Sequence, residues 1–199
     1  MTLETALGDL NSQSYFVWDD FLSPDEVASI SLDYQKLYDE GAFSRAGTGN
    51  QSGKRNLSGG IRSDETYWLD PLALTLSQHV FWDRLEALKT RINEELFLGL
   101  WNLDGHYSRY PVDGFYHRHL DRFASSDQRT LSMVLYFNPD WHTGDGGELR
   151  IHGQGNPATQ TDIAPIAGRL ICFLSASVLH EVLLTHQVRL SFAGWWKRR

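Results

Sequence analysis

The sequence predicts a mixed α+β fold that is mainly β, in which helices from the first half of the chain support a β-sandwich or barrel-like roll from the second half. Two observations lead to this prediction. Before about residue 100, apolar residues recur at helical spacing after good capping residues. From about residue 105, short aromatic and β-branched runs alternate with Gly, Pro, Asp and Asn, as strands and turns do in an all-β unit.

Composition and charge restrict the class of protein. The chain has 199 residues, of which 41% are hydrophobic and 22% are charged, so it can bury a substantial core. A net charge of −7 disfavours general binding to a nucleic-acid backbone. The single cysteine, Cys172, excludes an internal disulfide and a thiolate metal cluster. The sequence has neither a signal-peptide pattern nor an apolar run of membrane length, so we expect a cytoplasmic protein without a membrane partner.

The first half contains a short strand and two helical segments. Residues 1–13 are interpreted as a loosely held leader, and "YFVWDDFL" then predicts a strand. Ser23 and Glu26 form a capping box around a proline at the first helical position, which predicts a helix start. Residues 71–98 predict one long helix or two shorter ones, because leucine and isoleucine recur on a single stripe.

Residues 41–64 are rich in Gly and Ser and have no sustained periodicity. A loop of this length inside a compact domain is usually functional or disordered. We therefore predict a mobile lid, with a plain surface insertion as the alternative. The sequence "IRSDETYWLD" at its end predicts a return to a strand.

Two histidines and an aspartate occur within five positions. If their run is an extended strand, His117, His119 and Asp121 project from the same face. His180 lies in a later strand-like run. Two histidines with one carboxylate suit non-haem Fe(II) and leave three coordination positions open. Any one buried histidine is more often satisfied by a hydrogen bond, so the prediction depends on the whole set, and alternation alone leaves His117 as a rival to His119.

A basic residue, Arg189, follows His180 by nine positions. Arg189 can bind the far carboxylate of a diacid that chelates a metal, because guanidinium groups pair with carboxylates in a bidentate fashion. In strand geometry Ser191 and Trp195 share the face of Arg189. A polar wall and an aromatic wall are therefore expected beside the same pocket.

Several separated segments resemble, in order, the core of the 2-oxoglutarate and Fe(II)-dependent dioxygenases. The match is to their prolyl 4-hydroxylase group, especially the bacterial and hypoxia-sensing prolyl hydroxylases. The segments are "YPVDGFYHRHLDR", "RTLSMVLYFNPDW", "GDGGELRIH", "IAPIAGRLICFLS" and "LHEVLLTHQVRLSFAGWW". The resemblance implies a double-stranded β-helix (jelly-roll) core over residues 105–197 and helical support over residues 14–100. It also implies a single catalytic domain over residues 1–199.

The resemblance also implies roles for individual residues around the metal. His119, Asp121 and His180 match the iron triad of the family, which is both its metal site and its catalytic centre. His117 lies outside that pattern, as a residue of the pocket rim or of the structure. The segment before His119 is one residue shorter than in the hypoxia-sensing enzymes, which affects the alignment there.

Further matches concern the co-substrate. Arg189 matches the residue that pairs with the distal carboxylate of 2-oxoglutarate. Tyr136 and Tyr110 match tyrosines of the same pocket, and Tyr136 can add a hydroxyl hydrogen bond to that carboxylate. Trp195 resembles a tryptophan beside the substrate proline. For the tyrosines and for Trp195, packing in the core is the alternative.

A last set of matches concerns the substrate. Arg62 and Asp64 resemble residues at the end of the loop that closes over a peptide in the hypoxia-sensing enzymes. Arg129 is then a candidate charge partner for Asp64. The alternative is that these are ordinary solvated charges on a loop.

The resemblance implies a prolyl 4-hydroxylase that acts on a proline in a protein loop. The cofactors would be Fe(II) and the co-substrate 2-oxoglutarate, with ascorbate as a supporting reductant, and the products 4-hydroxyproline, succinate and CO₂. Bacterial relatives suggest elongation factor Tu as the protein substrate. One alternative is the same chemistry on a small molecule or free amino acid. Another is a cupin-like metal-binding sensor module without turnover.

Overall fold

The computed structural model describes residues 1–47, 60–122, 128–153 and 159–199. Within these ranges the chain forms three helices, α1 (Leu3–Gln13), α2 (Pro24–Asp39) and α3 (Leu76–Leu96). Eleven strands accompany them: β1 (Tyr15–Trp18), β2 (Ser44–Arg45), β3 (Glu65–Trp68), β4 (Leu100–Tyr110), β5 (Tyr116–His119), β6 (Arg129–Tyr136), β7 (Leu149–His152), β8 (Gln160–Ile163), β9 (Leu170–Leu174), β10 (His180–Val182) and β11 (Arg189–Arg198).

The strands form two antiparallel sheets. One has seven strands in the order β1-β9-β6-β11-β4-β3-β2, and the other has four in the order β5-β10-β7-β8. A cluster of buried apolar residues joins the inner faces, with Tyr110, Tyr136 and Phe173 from the large sheet and Leu149 and Ile151 from the small one. This arrangement confirms the predicted mainly-β roll.

The helices cover the outer face of the seven-stranded sheet. Phe81 and Leu85 of α3 pack in one buried cluster with Tyr107 of β4 and with Phe192 and Trp196 of β11. These side chains alternate with those that face the other sheet, so the large sheet is buried on both faces. The predicted role of the helices as support is confirmed.

The capping prediction for α2 is confirmed. The Glu26 amide donates to Ser23 Oγ at 3.4 Å, and the Ser23 amide donates to Glu26 Oε2 at 2.8 Å. The segment predicted over residues 71–98 is one continuous helix, α3. It begins at Leu76 after Thr75, whose side chain accepts from the Gln78 amide, so the preceding residues stay outside the helix.

The prediction of a loosely held leader is wrong. Residues Leu3–Gln13 form α1, which is capped by Thr2. Ala6, Leu7 and Leu10 recur at helical spacing and are buried against the main core. Burial of this apolar stripe therefore stabilises a short helix whose intrinsic preference is weak.

Two strands were not predicted, and one begins earlier than expected. In β8 the first three of its four residues are exposed and polar, so no alternating pattern appears. The two-residue strand β2 falls inside the segment that was predicted as a lid, and β4 begins at Leu100. The return to a strand after that segment is confirmed by β3. Residues 48–59 of the predicted lid lie outside the described residues.

In the described ranges, no helix has both the length and the apolar character needed to cross a membrane.

Replacing Leu10 with Ala tests the contribution of α1 to the core. Leu10 is 2% exposed, so we expect the free energy of unfolding to fall by about 2–4 kcal/mol, as measured by urea denaturation. Leu72 is 96% exposed, and Leu72→Ala should change the free energy of unfolding by less than about 0.5 kcal/mol. Equal effects of the two substitutions would contradict a structural role for α1.

Candidate active site

Three ligand-type side chains converge on one point. His119 ends β5, Asp121 follows it closely, and His180 begins β10 directly opposite His119. One nitrogen of each imidazole and one oxygen of Asp121 lie within 4.8 Å of one another. His119 Nε2 is 3.5 Å from Asp121 Oδ1, and His180 Nε2 is 3.9 Å from Asp121 Oδ2. The structure thus brings together the three residues that were predicted to share a metal.

Backbone hydrogen bonds fix both imidazoles. Nδ1 of His119 is 2.7 Å from the carbonyl oxygen of His117, and Nδ1 of His180 is 3.0 Å from that of Val178. A carbonyl oxygen only accepts, so each Nδ1 carries the proton and donates it. Each Nε2 lone pair then faces the point where the three side chains converge and is available to bind a metal. Metal-binding histidines are commonly oriented in this way.

The protonation states suit metal ligands. Burial raises the pKa of Asp121, but the neighbouring imidazoles of His180 and His119 outweigh burial and hold that pKa well below its usual range. Burial is the main reason why the pKa of His180 is lowered to about 4. At neutral pH, Asp121 is therefore a carboxylate and His180 is a neutral nitrogen donor, as metal binding requires.

The strand that carries His119 does not alternate regularly. Its pairing with β10 shifts between His119 and Tyr116, which marks a β-bulge. Tyr116 consequently lies on the side of His119, and the two rings stack with centroids 3.7 Å apart. His117 is exposed and is not one of the converging ligands. The prediction that His117 and His119 project together is therefore wrong, because the bulge interrupts the alternation.

Arg189 is a buried cation at the start of β11. It is 1% exposed, and its Nε donates to the Gly147 carbonyl at 2.8 Å. Its two terminal nitrogens donate to Ser191 Oγ and Tyr136 Oη, both at 3.3 Å. Among the described residues no carboxylate forms a salt bridge with Arg189. A buried guanidinium in this setting has the chemistry to bind an anionic ligand.

Gly147 was not predicted as a site residue, yet it allows the close approach behind Arg189. Its φ is +68°, and an added Cβ would lie 3.0 Å from the Cβ of Thr185 and 3.1 Å from Cδ of Arg189. Only glycine combines this positive φ with the lack of space for a Cβ without strain. The paired glycines of "GDGGELRIH" were the available signal.

The two predicted tyrosines flank the guanidinium. The ring centroids of Tyr110 and Tyr136 lie 5.0 Å and 4.9 Å from Cζ of Arg189. Burial raises the pKa of both phenols, so both hydroxyl groups stay protonated. Tyr136 is hydrogen-bonded to Arg189, whereas Tyr110 contacts it only through the ring face.

Asp64 is paired with Arg62 and not with Arg129. Both carboxylate oxygens accept from Arg62, at 2.6 and 2.5 Å, and Asp64 is 1% exposed. The bidentate pair raises the pKa of Arg62. Arg129 instead lies 3.6 Å from the ring centroid of Trp195 and donates to the Asp121 carbonyl at 3.3 Å. The predicted Asp64–Arg129 pair is therefore wrong, because Arg62 lies two residues away on the same face.

An aromatic wall faces the metal ligands from the large sheet. Trp195 of β11 stacks on Trp68 of β3 with centroids 5.9 Å apart, and His106 of β4 contacts both rings. Trp68 and His106 were not predicted as site residues. The available signal was alternation along β4, since His106 and Tyr110 lie on one face.

These groups surround one pocket of about 590 Å³, large enough for a small co-substrate and part of a substrate. Eight of the predicted site residues line it: His119, Asp121, His180, Arg189, Tyr110, Trp195, Arg62 and Arg129. The other two, Asp64 and Tyr136, lie behind its wall and contact it through Arg62 and Arg189.

Comparison with known proteins agrees with this chemistry. The family described as the 2OG-Fe(II) oxygenase superfamily matches residues 105–197. The crystal structure of a prolyl-4-hydroxylase from Pseudomonas putida is 34% identical, with 100% of each chain covered and a TM-score of 0.88. The chain belongs to the prolyl 4-hydroxylase group of the 2-oxoglutarate and Fe(II)-dependent oxygenases.

Two further prolyl hydroxylases with lower sequence identity are also similar to this chain. The enzyme from Trichoplax adhaerens is 23% identical with a TM-score of 0.85, covering 98% of this chain and 88% of that one. The hypoxia-inducible factor prolyl hydroxylase of Caenorhabditis elegans is 28% identical over 210 residues. That match covers 97% of this chain, which spans 28% of the length of the C. elegans protein.

The residues present fit the cofactors of this family, which are Fe(II) and 2-oxoglutarate. Two histidine nitrogens and one carboxylate are the donor set of non-haem Fe(II) oxygenases, and they leave coordination positions for a co-substrate. Arg189, which forms no salt bridge with a described carboxylate, lies in the same pocket and suits the second carboxylate of 2-oxoglutarate. The predicted cofactors are confirmed by the family, while the role of each residue stays a prediction.

Replacing Arg189 with Met tests the anion site. We expect the dissociation constant of 2-oxoglutarate to rise about 100-fold, because two charge-assisted hydrogen bonds are lost. The measurement is calorimetric titration with Mn(II) in place of Fe(II). Arg189→Lys keeps the positive charge but loses the planar pair of N–H donors that can bind a carboxylate in a bidentate fashion. It should therefore weaken 2-oxoglutarate binding less than Arg189→Met does.

The matched control is Arg150→Met. Arg150 forms a bidentate pair with Asp162 at 2.7 Å and does not line the pocket. Its replacement should leave 2-oxoglutarate binding unchanged. Equal losses in the two methionine variants would contradict a specific anion site at Arg189.

Proposed function

We propose that this protein is a peptidyl-prolyl 4-hydroxylase that uses Fe(II) and 2-oxoglutarate on a proline in a protein loop, with bacterial elongation factor Tu as the substrate. The observation that carries the proposal is the pairing of two features in one pocket. A set of three metal ligands lies in the same cavity as a buried arginine, and no carboxylate in the described part of the chain forms a salt bridge with that arginine. A closed structural metal site would need neither an open position nor an anion receptor.

In this proposal Nε2 of His119, Nε2 of His180 and the Asp121 carboxylate hold the iron. Bound Fe(II), with 2-oxoglutarate and O₂, supplies the oxidising chemistry that converts proline to 4-hydroxyproline while 2-oxoglutarate becomes succinate and CO₂. The carbonyls that accept from both Nδ1 atoms keep the imidazoles in the orientation and tautomer needed for this task.

Arg189 binds the distal carboxylate of 2-oxoglutarate, and the Tyr136 hydroxyl stands beside that guanidinium to add a hydrogen bond. Tyr110 closes the pocket as an apolar ring wall. The rigid setting of Arg189 on the Gly147 carbonyl orients the co-substrate before the reaction, so its binding geometry costs little reorganisation.

The mouth of the pocket supports a polypeptide substrate. Trp195, Trp68 and Arg62, which Asp64 holds from behind the wall, form a mixed aromatic and charged rim, which suits a proline ring with flanking peptide groups. The T. adhaerens enzyme was crystallised with a hypoxia-inducible factor peptide fragment. Elongation factor Tu is proposed by analogy with bacterial relatives, which places the reaction in the cytoplasm.

The alternatives predict different products. An oxygenase for a small molecule or free amino acid would form succinate without modifying a protein. A metal-binding sensor module would form neither product. The open ligand set and the anion receptor disfavour the sensor, and the aromatic rim disfavours a small polar substrate.

The proposed function is tested with anaerobically purified protein, Fe(II), 2-oxoglutarate, ascorbate and air. Purified elongation factor Tu and a bacterial extract are supplied in parallel reactions. We expect one proline to gain about 16 Da, the mass of an added oxygen, together with an equal amount of succinate, by mass spectrometry. Succinate without a modified proline would overturn the protein-substrate claim, and the absence of both products would favour the sensor.

Asp121→Ala removes a proposed metal ligand. We expect hydroxylation to fall by more than the roughly 10- to 100-fold that loss of an outer hydrogen-bond partner costs at metal sites. The control is Asp162→Ala, since Asp162 is half-exposed and pairs with Arg150 outside the pocket. Full activity in Asp121→Ala would remove the metal assignment.

A further inference from the structure

His106 is a polar side chain built into the aromatic wall. It lies in register between Trp68 of β3 and Ala193 of β11, so its backbone is fixed on both sides. The side chain lines the pocket, and the residue is only 3% exposed. Its ring centroid lies 4.7 Å from that of Trp68 and 5.5 Å from that of Trp195. The imidazole therefore has one defined position.

The contacts of Nδ1 determine the tautomer of His106. Nδ1 lies 3.3 Å from the Tyr107 carbonyl oxygen and 3.0 Å from Ser108 Oγ. The carbonyl can only accept, so Nδ1 carries the proton and Nε2 carries the lone pair. Burial, with the nearby guanidinium of Arg62, lowers the pKa of His106 to about 4, so the ring is neutral at pH 7.

Nε2 of His106 has no hydrogen-bond partner among the described residues. His106 lines the pocket, and Nε2 is not among the fully buried atoms that lack a partner, so this lone pair can be reached by a bound ligand and can accept a hydrogen bond from it. The position belongs neither to the converging metal ligands nor to the contacts of Arg189. It lies beside Trp195 on the proposed substrate side of the pocket.

We infer that His106 is a specificity-determining residue whose Nε2 accepts a hydrogen bond from a main-chain N–H next to the target proline. The inference rests on the proposed function, since it assumes a prolyl peptide in this pocket. A proline within a peptide has no backbone N–H, so the main-chain donors closest to its ring belong to the two flanking residues. A free amino acid or small metabolite would lack these peptide groups, so His106 selects for a polypeptide.

The protein side of the test compares His106→Leu, which removes the acceptor, with His106→Gln, which keeps an acceptor oxygen. The probe is a synthetic peptide around the proline that the wild-type protein modifies. We expect His106→Leu to raise the peptide KM and the anaerobic dissociation constant about tenfold. The dissociation constant of 2-oxoglutarate should not change, and His106→Gln should stay within about threefold of wild type.

The matched control is His79→Leu. His79 lies on α3 with a half-exposed side chain and does not line the pocket. This variant should bind and hydroxylate the peptide like the wild type. An unchanged affinity for 2-oxoglutarate in His106→Leu would show that its pocket is still folded.

The substrate side of the test replaces each N–H that flanks the proline with an ester oxygen in turn. In the wild-type protein one ester should weaken binding about tenfold, and in His106→Leu the same ester should cause no further loss. This non-additivity separates a hydrogen bond from simple packing. An equal ester penalty in both proteins would overturn the inference, and so would equal losses in His106→Leu and His106→Gln.

The outcomes also separate this inference from the proposed function. If the wild type hydroxylates the peptide and His106→Leu does so equally well, only the role of His106 fails. If the wild type modifies no proline, the proposed function fails and this inference fails with it.

Discussion

The placement of β11 between β4 and β6 is the constraint on which the pocket depends. Every second residue of β11 faces the small sheet, so Arg189, Ser191 and Trp195 lie in order along one line. The distance from Arg189 to Trp195 is about 20 Å at the rise of an antiparallel strand. One strand thus sets the buried Arg189 guanidinium at one end of the pocket and the aromatic ring of Trp195 at the other. The neighbouring strands add Tyr110 and Tyr136 in register.

Charge compensation explains why the two ends differ. Two of the cations that line the pocket have carboxylate partners, since Arg62 pairs with Asp64 and Lys197 pairs with Asp104 at 2.8 Å. Among the described residues Arg189 has no such partner, although it is the most buried of these cations. The protein carries a net charge of −7, so the positive charge at Arg189 is local and is opposite in sign to the charge of the molecule as a whole.

Much of the fold could be predicted because its signals are local. The capping box of α2 and the alternation along β11 follow from neighbouring residues. The helix α1 was missed although Leu7 and Leu10 recur at helical spacing, because a helix this short depends on burial against the main core for its stability. The strand β8 has three exposed polar residues and carries no pattern of its own, so only pairing with β7 defines it. Elements that depend on partners were missed, while elements with intrinsic signals were found.

The same distinction applies to the candidate site. Order and spacing brought His119, Asp121 and His180 together correctly, and the structure places their donor atoms within 4.8 Å of one another. Regular alternation failed at His117, because the bulge opposite β10 depends on pairing between strands that are distant in sequence.

His106 was missed for a related reason. Its strand position was predictable, but its neutral tautomer follows from Tyr107, Ser108 and the burial that tertiary packing provides. Sequence order and spacing can thus indicate which donor groups share a site, whereas the contacts of a side chain such as His106 depend on the folded wall around it.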